Sequence, residues 1–338
     1  INEKKSFKVY QNLGYAQTRL GEWDKAVDAY RAAVEMKKND PSAELLGNLG
    51  RVEYMAGEYD KAVETFQSLR SKYPDQNTDI WIARCYIKTK QWTRGQNVLL
   101  KYLEKKPGDS DAMELLAYLF SQSGRVDESI KIHKKLVRTH PGKIKYLLLL
   151  AKAQTAAKNY DAAIDTLEFT NRVTDQVSKE AVRLLADLYI SKKMYRQAAL
   201  CYQKIIIASD TPTMDDYFRL GYTYYQTGEF VSAGETFEKI RRADAGNYKA
   251  VLYLGHIAAE KGDIEKARKY YLQAVKINES SKEPCLYLAQ IEFNNKKYSD
   301  AAVHFAKAIS LGDDSVSTHY NHVLALIMSE QFIPAKRA

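Results

Sequence analysis

A leucine or isoleucine followed by glycine or alanine returns nine times along the chain at almost constant spacing. The pairs are Leu13-Gly14, Leu49-Gly50, Ile82-Ala83, Leu116-Ala117, Leu150-Ala151, Leu185-Ala186, Leu220-Gly221, Leu254-Gly255 and Leu288-Ala289, set 33 to 36 residues apart. A period in this range marks one supersecondary unit repeated end to end. Such a unit cannot bury its apolar face alone and completes its core against its neighbours.

The unit itself is legible. Twelve residues after each Gly/Ala stands a second small residue: Ala26, Ala62, Gly95, Ser129, Ala163, Ala198, Ala233, Ala267 and Ala301. Four residues further on comes a large one: Tyr30, Phe66, Leu99, His133, Leu167, Tyr202, Phe237, Tyr271 and Phe305. Small then large at i, i+4 describes one helical face, so each unit reads as two helices of about a dozen residues. Between them lie Gly21, Gly57, Gly124, Gly228 and Gly262, where a helix stops readily, and in the other four units Lys90, Lys158, Lys193 and Lys296, cations suited to the negative end of a helix dipole. Apolar residues such as Trp23, Trp92 and Phe230 then open the second helix, and Asp24, Asp60, Asp127, Asp161 and Asp300 follow them. These aspartates are expected to offset the helix dipole and cap free N–H groups. The small pairs are expected to let the two helix backbones of a hairpin approach closely.

Composition excludes several alternatives. Hydrophobic residues make up 45% of 338 and charged residues 28%, with only 7 Pro, which fits an ordered, helix-rich, soluble chain. No run of about 18 apolar residues offers a membrane span. Cys85, Cys201 and Cys285 form no C-x-x-C pair, so neither a zinc knuckle nor a disulfide framework is indicated. The net charge of +9 is a mild excess for this size. A start at Ile1 and a stop soon after Pro334 read as a fragment, so no compartment is assigned.

On these residues the chain resembles the tetratricopeptide repeat: small after Leu, small again twelve on, an aromatic at the next turn, and Pro74, Pro107 and Pro141 near the ends of their units. The resemblance spans residues 7 to 315 in nine units, at about 7–40, 43–76, 76–109, 110–143, 144–177, 179–212, 214–247, 248–281 and 282–315. A partial tenth, 316–338, has Phe332 in the position that opens a second helix. The resemblance implies an all-α fold, a right-handed α-solenoid of stacked helix-turn-helix hairpins forming one superhelical array. Its first helices would line a concave groove that holds a peptide or a helix of a partner. The small-residue pairs and turn glycines favour this protein-binding family over its RNA-reading pentatricopeptide relative, so no nucleic acid is expected. No cofactor is implied.

In this family the groove is lined mainly by first-helix positions one after the Gly/Ala and three before it. Here these include Arg51, Arg84, Tyr118, Lys152, Tyr222 and His256 from the first set, and Arg183 and Phe218 from the second; Tyr225, one turn beyond Tyr222, joins them. Arg51, Arg84, Lys152 and Arg183 are expected to meet carboxylates, and Phe218, Tyr222 and Tyr225 to give apolar contact. Two specialised grooves of the family fail to match. The lysine and arginine partners of the chaperone carboxylate clamp are absent around Asn12 and Asn48, and the asparagine ladder of the sugar-transferring enzymes ends at Trp81, Leu115 and Leu149. Residues 76 to 143 carry 13 basic and 7 acidic side chains. Many of these cations, such as Lys101, Lys105, Lys131 and Lys135, fall on second helices, where an acidic partner, anionic lipid headgroups at a peripheral membrane surface, or plain solvation would each suit them.

No phosphate-loop, G-x-S-x-G or H-E-x-x-H signature occurs. His319 and His322 share a helix face without a third ligand nearby, so no metal centre is expected. The expectation is a non-enzymatic protein-interaction scaffold that positions a partner in a larger assembly. The alternatives are the substrate-recruiting arm of a larger enzyme, or an envelope or secretion-machinery component.

Overall fold

A computed structural model describes residues 2–37, 40–173 and 178–329. Phe332 and Pro334 lie outside the described residues. The described residues form nineteen helices and no strand. They fall into two compact units, residues 1–174 and 175–338.

The first unit holds five hairpins: α1 (Asn2–Leu20) with α2 (Trp23–Met36), α3 (Ala43–Met55) with α4 (Tyr59–Lys72), α5 (Asp79–Lys88) with α6 (Trp92–Lys105), α7 (Ser110–Gln122) with α8 (Val126–Thr139), and α9 (Ile144–Ala156) with α10 (Tyr160–Val173). The second holds α11 (Lys179–Ser191) with α12 (Tyr195–Ile207), α13 (Met214–Gln226) with α14 (Phe230–Ala243), α15 (Tyr248–Glu260) with α16 (Ile264–Ile277), α17 (Glu283–Asn294) with α18 (Tyr298–Ser310), and then α19 (Val316–Met328). Within each unit a helix packs chiefly on its immediate neighbours in the chain, and α5 also touches α7. No helix among the described residues is long and apolar enough to cross a membrane.

The hairpin turns share one backbone shape. Gly57 has φ +84°, and the four lysines adopt the same left-handed conformation, Lys193 at +58° and Lys90 at +57°. The lysines therefore do not simply replace glycine by charge: each holds a backbone shape that costs an L-residue on the order of 1 kcal/mol. Several first helices are closed at their N-termini by side chains, as Ser42 accepts from the N–H of Leu45 and Thr213 from that of Asp216, whereas α5, α9 and α17 have no such cap. Second helices mostly are not. Their N-cap positions include Glu22, Glu58, Gln91 and Arg125, none with a capping hydrogen bond, and Asp24, Asp60 and Asp127 lie inside the first turn. Those aspartates are not N-caps, and a negative charge in the first turn suits the positive end of the helix dipole.

The core runs between successive hairpins. Tyr30, Phe66, Leu99, Tyr202, Phe237 and Tyr271 are each no more than 2% exposed. Burying such a side chain contributes roughly 1.5–3 kcal/mol. A buried polar clasp joins α2, α3 and α4: Arg31 donates to Glu53 Oε1 at 2.7 Å and also to Glu58, while Thr65 Oγ1 donates to Glu53 Oε2 at 2.6 Å. Arg268 and Glu292 repeat the ion pair between α16 and α17 at 2.5 Å.

Candidate partner-binding site

First helices offer one continuous stripe to each cleft. Measured from the Gly/Ala of the unit, the stripe takes the next residue, the residues two and three before, and the residue six before, which are successive turns of one helical face. Three clefts use it.

In the first unit, a cleft of about 450 Å³ is bounded by Glu44, Gly47 and Arg51 of α3 and by Asn77, Trp81 and their neighbours around α5. Arg51 is exposed there and donates to Asn48. A second cleft, of about 510 Å³, is lined by Arg84 of α5, by Asp111, Glu114, Leu115 and Tyr118 of α7, and by Lys145, Leu149 and Lys152 of α9. Arg84 stacks on Trp81 with its guanidinium carbon 5.0 Å from the ring centroid, a cation–π contact that keeps the charge at the cleft wall. Lys145 Nζ is 2.5 Å from Glu114 Oε2, and this pair raises the lysine pKa. Ser129 and His133 of α8 complete the lining.

The second unit holds the aromatic cleft, about 470 Å³, lined by Ile190, Asp215, Phe218, Arg219, Tyr222, Tyr248, Lys249, Leu252, Tyr253 and Glu283. Phe218 and Tyr222 meet Tyr253 edge-on with centroids 5.6 and 6.0 Å apart. Lys249 Nζ lies 5.5 Å from the Phe218 ring centroid. Burial pushes the Tyr253 hydroxyl up to about 12 and also raises the Glu283 carboxyl. Arg219 reaches Asp215 at 2.8 Å and Asp187 at 2.6 Å.

The nine residues read from the sequence therefore separate. Arg51, Arg84, Tyr118, Lys152, Phe218 and Tyr222 line clefts. Three do not. Arg183 donates to the buried Asp216 of the next hairpin at 2.6 Å. Burial alone would raise the Asp216 carboxyl, but hydrogen bonds from Thr213 and Arg183 outweigh it and hold the pKa below the usual range. Tyr225 packs against Phe230, Tyr253 and His256 with centroids 5.4–6.2 Å away. His256 is only 9% exposed, its Nδ1 2.8 Å from the Tyr271 hydroxyl and its ring 4.6 Å from Tyr287, and burial lowers its pKa to about 4. The position six before the small residue was not anticipated. Helical periodicity carried one turn further back would have found it, since Glu44, Asn77, Asp111, Lys145, Asp215, Lys249 and Glu283 all occupy it and all line a cleft. Among the described residues no group of three metal-ligating side chains comes together.

Stacked two-helix hairpins with clefts along their first helices define a helical-repeat binding protein. Tetratricopeptide repeat profiles match residues 12–77, 53–119, 218–282 and 252–316, more than half of the sequence, and the chain belongs to the tetratricopeptide repeat family. Proteins of this family bind protein or peptide partners. The chain is 28% identical over 144 residues to human Superkiller complex protein 3, a match covering 40% of this chain and 9% of that protein. It is 25% identical over 205 residues to the TPR repeat-containing protein YpiA of Bacillus subtilis, covering 60% of this chain and 47% of that one. The chain thus spans less than half the length of either relative. A solved tetratricopeptide repeat protein from Parabacteroides merdae superposes with TM-score 0.51 at 19% identity, covering 70% of this chain and 93% of the other, a likeness of fold.

Proposed function

We propose that the chain is an interaction scaffold that holds an extended or helical segment of a partner protein along its first helices and so positions that partner within a larger assembly. One observation carries this reading: six side chains that the repeat register picks out as outward-facing converge in three clefts, each bounded by consecutive first helices. Clefts of about 450–510 Å³ fall within the size range of ligand-binding pockets. Their chemistry differs along the chain. Arg51, Arg84 and Lys152 give the first unit cationic walls, and Phe218, Tyr222 and Tyr253 give the second an aromatic one. Aromatic and arginine side chains are the types that dominate interface energies.

The test is site-specific photocrosslinking. A benzophenone amino acid placed on the first-helix face, at Tyr118 in the first unit or at Tyr222 in the second, is expected to capture a partner protein through a defined segment. The same probe at Leu200 or Val303, exposed on second helices at 63% and 64%, is expected to capture nothing in common with it. Capture of that partner from the second-helix positions alone overturns the proposal.

A further inference from the structure

Ser129 and His133 break the pattern of their own repeat. At the two equivalent positions the preceding hairpin carries Gly95 and Leu99, and the following one Ala163 and Leu167. Ser129 is fully buried and His133 is 6% exposed. Neither Ser129 Oγ nor His133 Nδ1 has a hydrogen-bond partner among the described residues. A buried polar atom left unpaired loses its hydration and gains nothing in return. Here two of them stand at i and i+4 on one face of α8, and both residues line the same cleft of about 510 Å³.

The surroundings specify what would satisfy them. Burial lowers the His133 pKa against a smaller opposing pull from Glu114, so the ring is neutral near pH 7 and offers an N–H donor. The serine hydroxyl is a second donor, and both residues belong to the lining of the cleft. The same cleft is lined by Arg84, its guanidinium carbon 5.0 Å from the Trp81 ring centroid, by Lys152, by Lys145 paired with Glu114, and by Asp111, three cations against two carboxylates. Two neutral donors in a cleft with one cation in excess suit an acceptor that carries negative charge. A carboxylate accepts both hydrogen bonds and gains from that excess; an amide gains only the hydrogen bonds; an apolar group leaves both donors unpaired.

We propose that this cleft receives one acidic side chain, Asp or Glu, of the partner segment, its carboxylate accepting hydrogen bonds from Ser129 Oγ and the His133 ring. The assignment rests on the reading that partner segments lie along the first helices.

The full chain, labelled with 15N at its histidine rings and 13C at its tyrosine rings, is titrated at low salt with the capped peptide Ala-Ala-Glu-Ala-Ala and its glutamine counterpart at millimolar concentrations. The expected result is a saturating shift of the His133 ring nitrogens with the glutamate peptide, at an affinity at least about tenfold above that for glutamine. Ser129→Ala combined with His133→Leu, the residues of the following hairpin, is expected to melt no lower than the parent. Read at the Tyr118 ring, it is expected to bind the two peptides alike. A glutamate peptide that moves Tyr118 but leaves His133 unshifted, or equal binding of both peptides by the parent chain, overturns the proposal while the cleft remains a place where segments bind. If neither peptide perturbs any resonance on this face, the proposal and the reading of this cleft fall together.

Discussion

A methyl group added to Gly255 would come within 2.6 Å of Cε1 of Tyr271, sixteen residues on in the second helix of the same hairpin. The same closeness recurs between Gly14 and Tyr30 at 2.9 Å, Gly50 and Phe66 at 2.8 Å, and Gly221 and Phe237 at 2.9 Å. The first small residue of the unit thus makes room for a ring, where a meeting of two backbones had been expected. Units with alanine there oppose Leu99, His133 or Leu167 in three of five cases, and Tyr202 and Phe305 in the other two, so the matching is a tendency.

The pairing predicts a coupled cost. Gly50→Ala should destabilise the first unit by about 1–2 kcal/mol, overpacking against Phe66 outweighing the better helix propensity of alanine. Gly50→Ala with Phe66→Leu should cost less than the two single changes added together. Urea denaturation of the four proteins measures the difference; simple additivity would show that ring and glycine are not in contact.

Acid should loosen the second unit before carboxylates titrate. An unfolded histidine binds its proton near 6.5, while buried His256 holds its own only near 4. Between those values the unfolded state carries more protons, so stability is fully present above about pH 6.5 and falls as pH drops through the window. The loss approaches roughly 3 kcal/mol by pH 4. His304, lowered mainly by burial, adds in the same direction in this unit, and His133 acts likewise in the first. Melting curves from pH 7 to 4 on the parent and on His256→Phe should converge at low pH if this account holds.

Removing Arg31 should leave the Glu53 carboxylate, 3% exposed, without its main countercharge. Breaking a fully buried pair costs about 3–5 kcal/mol. Arg31 is itself one-third exposed and the Thr65 hydrogen bond remains, so about 2 kcal/mol is expected for Arg31→Ala. Hydrogen exchange should quicken in α3 and α4 and not in the helices of the second unit.

At the strained turns the sign reverses. Lys193→Gly removes a left-handed lysine but adds freedom to the unfolded chain, for a net gain of roughly 0.5–1 kcal/mol. Gly57→Lys should lose a similar amount. Thermal denaturation distinguishes these outcomes from a turn that is indifferent to its residue.

Binding should depend on salt only where cations line the cleft. Arg51→Ala with Arg84→Ala should weaken a captured partner by about 1–3 kcal/mol and flatten the dependence of affinity on ionic strength. Tyr222→Ala should weaken it without changing that dependence, as isothermal titration at two salt concentrations would show.

The helices and turns were legible because Leu-Gly/Ala, the second small residue and the Gly/Lys turn repeat at fixed offsets that only a two-helix unit satisfies. The outward stripe was half legible. Tyr118 and Tyr222 follow from register alone, whereas the pairing of Arg183 with Asp216, 33 residues away on the next hairpin, does not. Which side chains meet across hairpins depends on how far one slides past the next, and no single period encodes that. The burial of His256 was hidden for a similar reason: Tyr225, Tyr271 and Tyr287 reach it from three other helices, and Tyr253 from its own.

Because within each unit a helix rests chiefly on its immediate neighbours in the chain, mechanical support there is local. A segment laid across two first helices would act as a splint for that one joint, slowing its opening and leaving distant joints free. The protein's response to a partner would then be a change in where it bends most easily, written along the chain at the place of contact.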